Sequence, residues 1–191
     1  MSELDLGLSV ALGVGLAAAT GLRLFLPMLV VSVAAYAGHL PLGGNFAWLA
    51  TTPALILLSV AAVVEILAYY IPGLDNLLDT LATPAAFVAG TIISAAVITD
   101  LPPMVKWAAA IIAGGGIAGL TQTTSAVLRA KSTMLTGTLG NPVIATAELG
   151  GSLLVSLMAL MAPVLTLLLI GLLLWAAIRW LRQISRGARP S

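Results

Sequence analysis

Long apolar runs, each broken by at most one charged residue, recur along the whole chain and leave few folds open to it. The clearest are Thr52–Ile71, Met104–Leu128, Asn141–Leu160 and Val164–Trp180. As helices rising about 1.5 Å per residue, such runs approach or reach the roughly 30 Å thickness of a bilayer's hydrocarbon core. In lipid every backbone N–H and C=O must be satisfied by protein, so a spanning chain is either helical or a closed barrel. Barrel strands alternate apolar and polar residues over about ten positions. These runs do not alternate, so helices are expected. Charged residues make up 8% of the 191 positions and the mean hydropathy is +1.12. A soluble domain carries about 25% charged residues, so an ordinary water-soluble globule is excluded.

The expected fold is therefore all-α, a polytopic membrane helix bundle of about six transmembrane helices forming one domain over residues 1–191. The spans are placed at about Leu6–Ala37, Thr52–Ile71, Pro84–Thr99, Met104–Leu128, Asn141–Leu160 and Val164–Trp180, followed by a basic tail, 181–191. The start, Met1-Ser2-Glu3-Leu4-Asp5, is acidic, unlike the basic start of a secretory signal, so the first span is expected to be retained. With no cysteine in the chain, disulfides and thiolate chemistry are excluded.

Against this background a carboxylate inside a span is the informative residue. Glu148 lies about two helical turns into the fifth span, and Glu65 lies seven residues before Pro72 at the end of the second. An acid at that depth costs about 2.5–3.5 kcal/mol on insertion scales, so it normally faces a bundle interior or wet cavity and has a partner. The candidates for partnership are the two acids themselves, Arg23, Arg129 and the polar run Thr121–Ser125.

The first span is too long for one crossing. Gly21-Leu22-Arg23 interrupts it and Pro27 follows, removing one backbone hydrogen bond. It is either one kinked helix with Arg23 reaching an interface, or two half-helices meeting near Gly21, a recurring device in transporters. In the fourth span Gly115 and Gly119, four residues apart, form an expected close-packing face. The polar run then includes Thr121, Gln122 and Thr124 and is expected to line a cavity. Hydroxyls bonding back to their own helix would be the plainer reading. Asp75 and Asp79 are also four apart. They form either a solvated interfacial face, the simpler expectation, or a cation-gathering mouth. His39, the only histidine, is expected to be an ordinary loop residue.

Six spans place both termini on one side of the membrane. Arg179, Arg182, Arg186 and Arg189 then lie with the loop expected over Arg129–Gly140, opposite Lys106. By the positive-inside rule both termini are cytoplasmic, and the expected location is a bacterial cytoplasmic (inner) membrane. In this topology Glu65 and Glu148 share one depth, toward the cytoplasmic side, and could share a proton or a cation. Gly15–Thr20 faintly echoes Gly116–Thr121, suggesting a weak 3+3 inverted repeat of halves 1–100 and 101–184.

Three stretches carry a family resemblance. Gly21–Pro27, Glu65 with Ile71-Pro72-Gly73-Leu74-Asp75, and Asn141-Pro142 with Glu148 together resemble the small bacterial membrane family called domain of unknown function 4126. The resemblance implies an integral membrane protein and singles out Arg23, Glu65, Asp75, Asn141 and Glu148 as a set. In that family a second acid often follows the glutamate at the Glu148 position, and another often occurs near position 69. This chain has Leu149 and Tyr69 there. That departure weakens any divalent-metal reading, which needs more oxygen ligands.

The function expected from these residues is a small transporter or channel-like permease for a cation, a proton-coupled solute or another small solute. Glu65 and Glu148 would bind the ion, Arg23 would be a counter-charge or anion contact, and Asn141, Thr121, Gln122, Thr124 and Asp75 would complete the site. The alternative is a structural, assembly or lipid-binding membrane protein whose Glu–Arg pairs fix helix packing. No enzyme is expected, since neither HExxH nor GxSxG occurs and no histidine cluster is present. No metal or cofactor and no nucleic-acid partner is expected. Membrane lipids are the expected partners, with the C-terminal arginines on anionic headgroups, and the small-residue faces would suit a homodimer.

Overall fold

In the computed structural model, residues 3–71, 74–99, 101–137 and 139–172, with 175 and 179, are described. The basic tail, 181–191, and residues 173, 174, 176–178 and 180 of the sixth expected span lie outside the described residues. Eight α-helices follow in order: α1 (Glu3–Thr20), α2 (Phe25–Tyr36), α3 (Thr52–Ala68), α4 (Leu74–Val97), α5 (Pro103–Ala109), α6 (Gly116–Thr136), α7 (Asn141–Met161) and α8 (Pro163–Leu172). A 3-10 helix, Gly44–Ala50, leads into α3, and a π-helical segment, Ala110–Gly115, joins α5 to α6 without a break. No strand occurs among the described residues.

Helix lengths differ from the six-span expectation. Among the described residues, three helices are long and apolar enough to cross a membrane: Leu77–Val97, Pro103–Thr136 and Asn141–Met161. A fourth is added if Gly44–Ala50 and Thr52–Ala68, bent by 68° at their junction, count as one span. The first expected span is two helices, α1 and α2, separated by Gly21–Leu24. Pro27 sits in the first turn of α2, where its missing N–H has no intrahelical partner to lose. The acidic segment before Pro84 is the first turns of α4, which carries Pro84 in its interior.

The solvent preference of this bundle is inverted. Ile56, Leu57, Val60, Val63, Val64 and Leu67 on α3 are all more than half exposed. Arg23, Arg129, Asn141, Glu148, Ser152 and Ser156 are buried. Exposed large apolar faces around buried polar groups are what lipid, not water, selects. By length and composition the helices are those of a membrane protein.

At the centre lies α1, packed chiefly against α4 and α7. Its residues Leu16, Ala17, Ala19 and Thr20 are fully enclosed. Small side chains allow this: a Cβ on Gly15 would come within 2.9 Å of Ala159 Cβ. α4 also lies tight against the π-helical segment and the start of α6. A Cβ on Gly90 would collide with Ala118, and one on Gly114 would collide with Ser94 Oγ and come within 2.7 Å of Gly90 O. The expected close-packing pair was Gly115 with Gly119. Gly115 does press on Thr91 and Phe87, but Gly119 has ordinary room, so the tight face is Gly114, Gly115 and Ala118 against Gly90. The π turn rotates the helix face relative to a regular four-residue repeat.

Candidate functional site

The helix break between α1 and α2 organises the interior polar groups. A helix start leaves backbone N–H groups without intrahelical partners and carries a partial positive charge. Glu65, from α3, answers both features of α2. Its Oε1 accepts from Leu24 N at 2.6 Å and its Oε2 from Phe25 N at 3.0 Å. At the other side of the break, Ser152 on α7 donates to Ala19 O, at the end of α1, at 3.0 Å. The break is tight against α6, because a Cβ on Gly21 would collide with Ala118 O. Only glycine, with no Cβ, fits this approach.

This turn aims Arg23 into the bundle. Arg23 is 1% exposed; its Nη2 donates to Ala145 O at 2.7 Å and lies 3.6 Å from Glu148 Oε2. Arg129, also 1% exposed, completes the pairing from α6. Its Nη1 is 2.9 Å from Glu148 Oε2 and its Nη2 is 2.8 Å from Asp79 Oδ1 on α4. Ser125, one turn before Arg129, donates to the other oxygen of Glu148. The guanidinium carbons of Arg23 and Arg129 lie 4.1 Å and 4.3 Å from the ring centre of Tyr69. Desolvated cation–π contacts of this kind are worth about 2 kcal/mol each.

Both glutamates act electrostatically on Arg23, and both arginines on Glu65. The two carboxylates therefore share a cationic centre and are not hydrogen-bonded to each other. Their common depth follows from helix rise. Glu148 is seven residues from the start of α7, Arg129 seven from the end of α6, Asp79 five from the start of α4, and Glu65 three from the end of α3. At 1.5 Å per residue each lies within about 11 Å of the same end of the bundle.

The other expected site residues fall in different places. Asn141, buried in the first turn of α7, donates from Nδ2 to Thr133 Oγ1 at 3.0 Å and ties α7 to the last turns of α6. Gln122 is buried, and its Nε2 has no hydrogen-bond partner among the described residues. Thr124, like Thr123, is exposed and bonds back to the carbonyl four residues earlier, the plainer behaviour of a helical threonine. The side chain of Asp75 lies outside the described residues. Asp79 departs from the simpler expectation: its carboxylate, 12% exposed, is turned onto Arg129.

A cavity of about 530 Å³ opens beside the ion pairs, among α1, α6, α7 and α8. Leu22, Leu128, Ile144, Val155 and Ile170 supply apolar walls, while Thr121, Thr124, Ser125 and Glu148 gather on α6 and α7 as its polar side. Thr121 and Thr124 thus do line a cavity. Among the described residues no three His, Cys, Asp or Glu side chains converge as metal ligands.

Tyr69 and Asp79 are the central residues that the sequence does not place in the site; it offers Arg129 and Ser125 only as candidate partners of the two acids, with Arg129 at the start of an expected loop. The missed signal is periodic. The buried residues of α6 are Ala118, Gln122, Ser125 and Arg129, and those of α7 are Asn141, Ala145, Glu148, Ser152, Ser156 and Ala159. Each set repeats every three or four residues, a polar, small-residue stripe on one helix face.

A helical bundle with a lipophilic exterior and a paired, charged interior is a class of membrane protein. The chain belongs to the family described as Domain of unknown function (DUF4126), whose sequence profile matches residues 10–183. Comparison with curated proteins and with solved structures gives no match.

Proposed function

We propose that the protein is a small membrane permease that moves a proton or monovalent cation, alone or coupled to a solute, through Glu148. The observation that carries this reading is the charge balance of the buried cluster. Three acids, Glu65, Asp79 and Glu148, surround two cations, Arg23 and Arg129. Formally the cluster carries one excess negative charge, which one bound proton or monovalent cation balances. A buried charge without compensation is expensive, so the cluster favours taking up that charge. Glu148 is the acid that borders the cavity, which gives the ion a route to it.

In this reading the chain lies in a bacterial cytoplasmic membrane with six crossings, both termini inside and two inverted halves. The orientation rests on Lys131 and the C-terminal arginines opposite Lys106. Arg129 no longer counts toward it, because Arg129 is inside the bundle.

A second reading, a static brace for helix packing, is favoured by Glu65, both of whose oxygens are occupied by the amides that open α2. Flux in proteoliposomes under imposed pH, sodium and potassium gradients separates the two. A permease dissipates at least one gradient faster than protein-free liposomes; no acceleration under any gradient would reject it in favour of the brace.

A further inference from the structure

We infer that the cavity among α1, α6, α7 and α8 binds a single-chain amphiphile with a primary ammonium head, seated with its nitrogen against Ser125 and Glu148. This rests on the permease reading and names its substrate class.

The argument is an account of donors and acceptors. The hydroxyl proton of Ser125 is committed to Glu148 Oε1, and that of Thr124 to Leu120 O. A hydroxyl has one proton and two lone pairs. Ser125 and Thr124 therefore present acceptors to the cavity beside the carboxylate of Glu148, and Thr121 adds one hydroxyl that can accept or donate, so acceptors predominate. An occupant that satisfies this side must bring donors, and a primary ammonium brings three. Charge points the same way. Among the described residues, the charged groups around Glu148 are Arg23 from the α1–α2 break, Arg129 on α6, Asp79 on α4 and Glu65 on α3, and their formal sum with Glu148 is one negative charge. A cationic head neutralises it; an anionic head would double it. The rest of the occupant must be apolar, because Leu22, Leu128, Ile144 and Ile170 form the walls. At about 530 Å³ the cavity is within the range of about 300–1,000 Å³ that holds drug-sized ligands.

The test is native mass spectrometry of the full chain in detergent with decylamine, decanol and decyltrimethylammonium. The three share a tail, but decanol lacks the charge and decyltrimethylammonium lacks N–H donors. Decylamine is expected to bind one per chain, at least about tenfold tighter than either, the margin of one charge-assisted hydrogen bond. Ala147→Trp, which places a large ring at an exposed position of the cavity wall, is expected to abolish that binding. Leu154→Trp, on the same helix but outside the cavity, is expected to leave it unchanged. Equal binding of the three compounds would overturn the proposal by showing an apolar groove filled by any tail. So would decylamine binding that survives Ala147→Trp, or that Leu154→Trp removes equally. Thr124→Val, at an exposed surface position, gives a second variant: it is expected to narrow the preference for amine over decanol, and an unchanged preference would count against the acceptor account. Because binding is read without any gradient, amine binding without flux rejects the permease and keeps the site, and flux without amine binding does the reverse.

Discussion

Replacing Arg129 with methionine keeps most of the side chain's apolar stem and removes its guanidinium. The loss is specific: the contacts at 2.9 Å to Glu148 and 2.8 Å to Asp79, and the 4.3 Å approach to the Tyr69 ring. Glu148 keeps Ser125 and the longer approach of Arg23 at 3.6 Å. Removing one partner of a buried pair leaves uncompensated charge and costs about 3–5 kcal/mol. An exposed pair would cost about 0–1 kcal/mol. The two cases are far enough apart to decide between. The assay is reversible unfolding in mixed detergent and SDS micelles, following helix content. Arg129→Met is expected to lose about 3–5 kcal/mol, with little change between low and high salt, since buried pairs are weakly screened. Adding Asp79→Asn and Glu148→Gln to Arg129→Met is expected to recover most of the loss, because neutralising a buried ion set together is often nearly neutral. A loss below about 1 kcal/mol, or one that vanishes in salt, would refute the enclosed network.

Four further outcomes follow from single positions. Glu65→Ala uncaps α2 and is expected to cost about 1–2 kcal/mol and to speed hydrogen exchange of the Leu24 and Phe25 amides, while Glu65→Gln, retaining one acceptor, falls between. Gly114→Ala, whose methyl would collide with Ser94 Oγ, is expected to cost about 1–3 kcal/mol by the same unfolding assay. Gly116→Ala, with nothing within 4 Å, is expected to be neutral or to gain about 0.5–1 kcal/mol of helix propensity. Tyr69→Phe is expected to leave stability nearly unchanged and Tyr69→Leu to lower it by at least about 1 kcal/mol, because the ring face and not the hydroxyl meets the two arginines.

Depth in an apolar run was enough to single out Glu65, Glu148 and Arg23 from the sequence, because lipid makes such residues costly wherever the helices pack. The break near Gly21 was legible for a similar reason: glycine and Pro27 mark an interrupted helix. What apolarity could not show was where α6 ends. The apolar run stops at Leu128, and the segment from Arg129 read as a basic loop, yet the helix continues to Thr136. It stops at Gly137, whose φ of 59° is a left-handed helix terminus that glycine adopts without strain. That extension turns Arg129 from a loop residue into the buried centre of the ion pairs. Asp79 misled for the same reason. An acid in a short segment before a proline looks solvated until α4 is seen to run through Pro84 and carry it against α6. Helix lengths also depart from a count of apolar runs, since the first run divides into two shorter helices, α1 and α2.

Ion flux through Glu148→Gln tests the central claim most directly. Glutamine keeps the shape and a carbonyl acceptor for Ser125 but removes the charge. Proteoliposomes of wild type and Glu148→Gln, with equal amounts of protein shown to be folded by the unfolding assay, are compared under the gradient that wild type dissipates. The account predicts that Glu148→Gln falls to the rate of protein-free liposomes. A folded Glu148→Gln that conducts at the wild-type rate would contradict it and leave the buried charges as a brace.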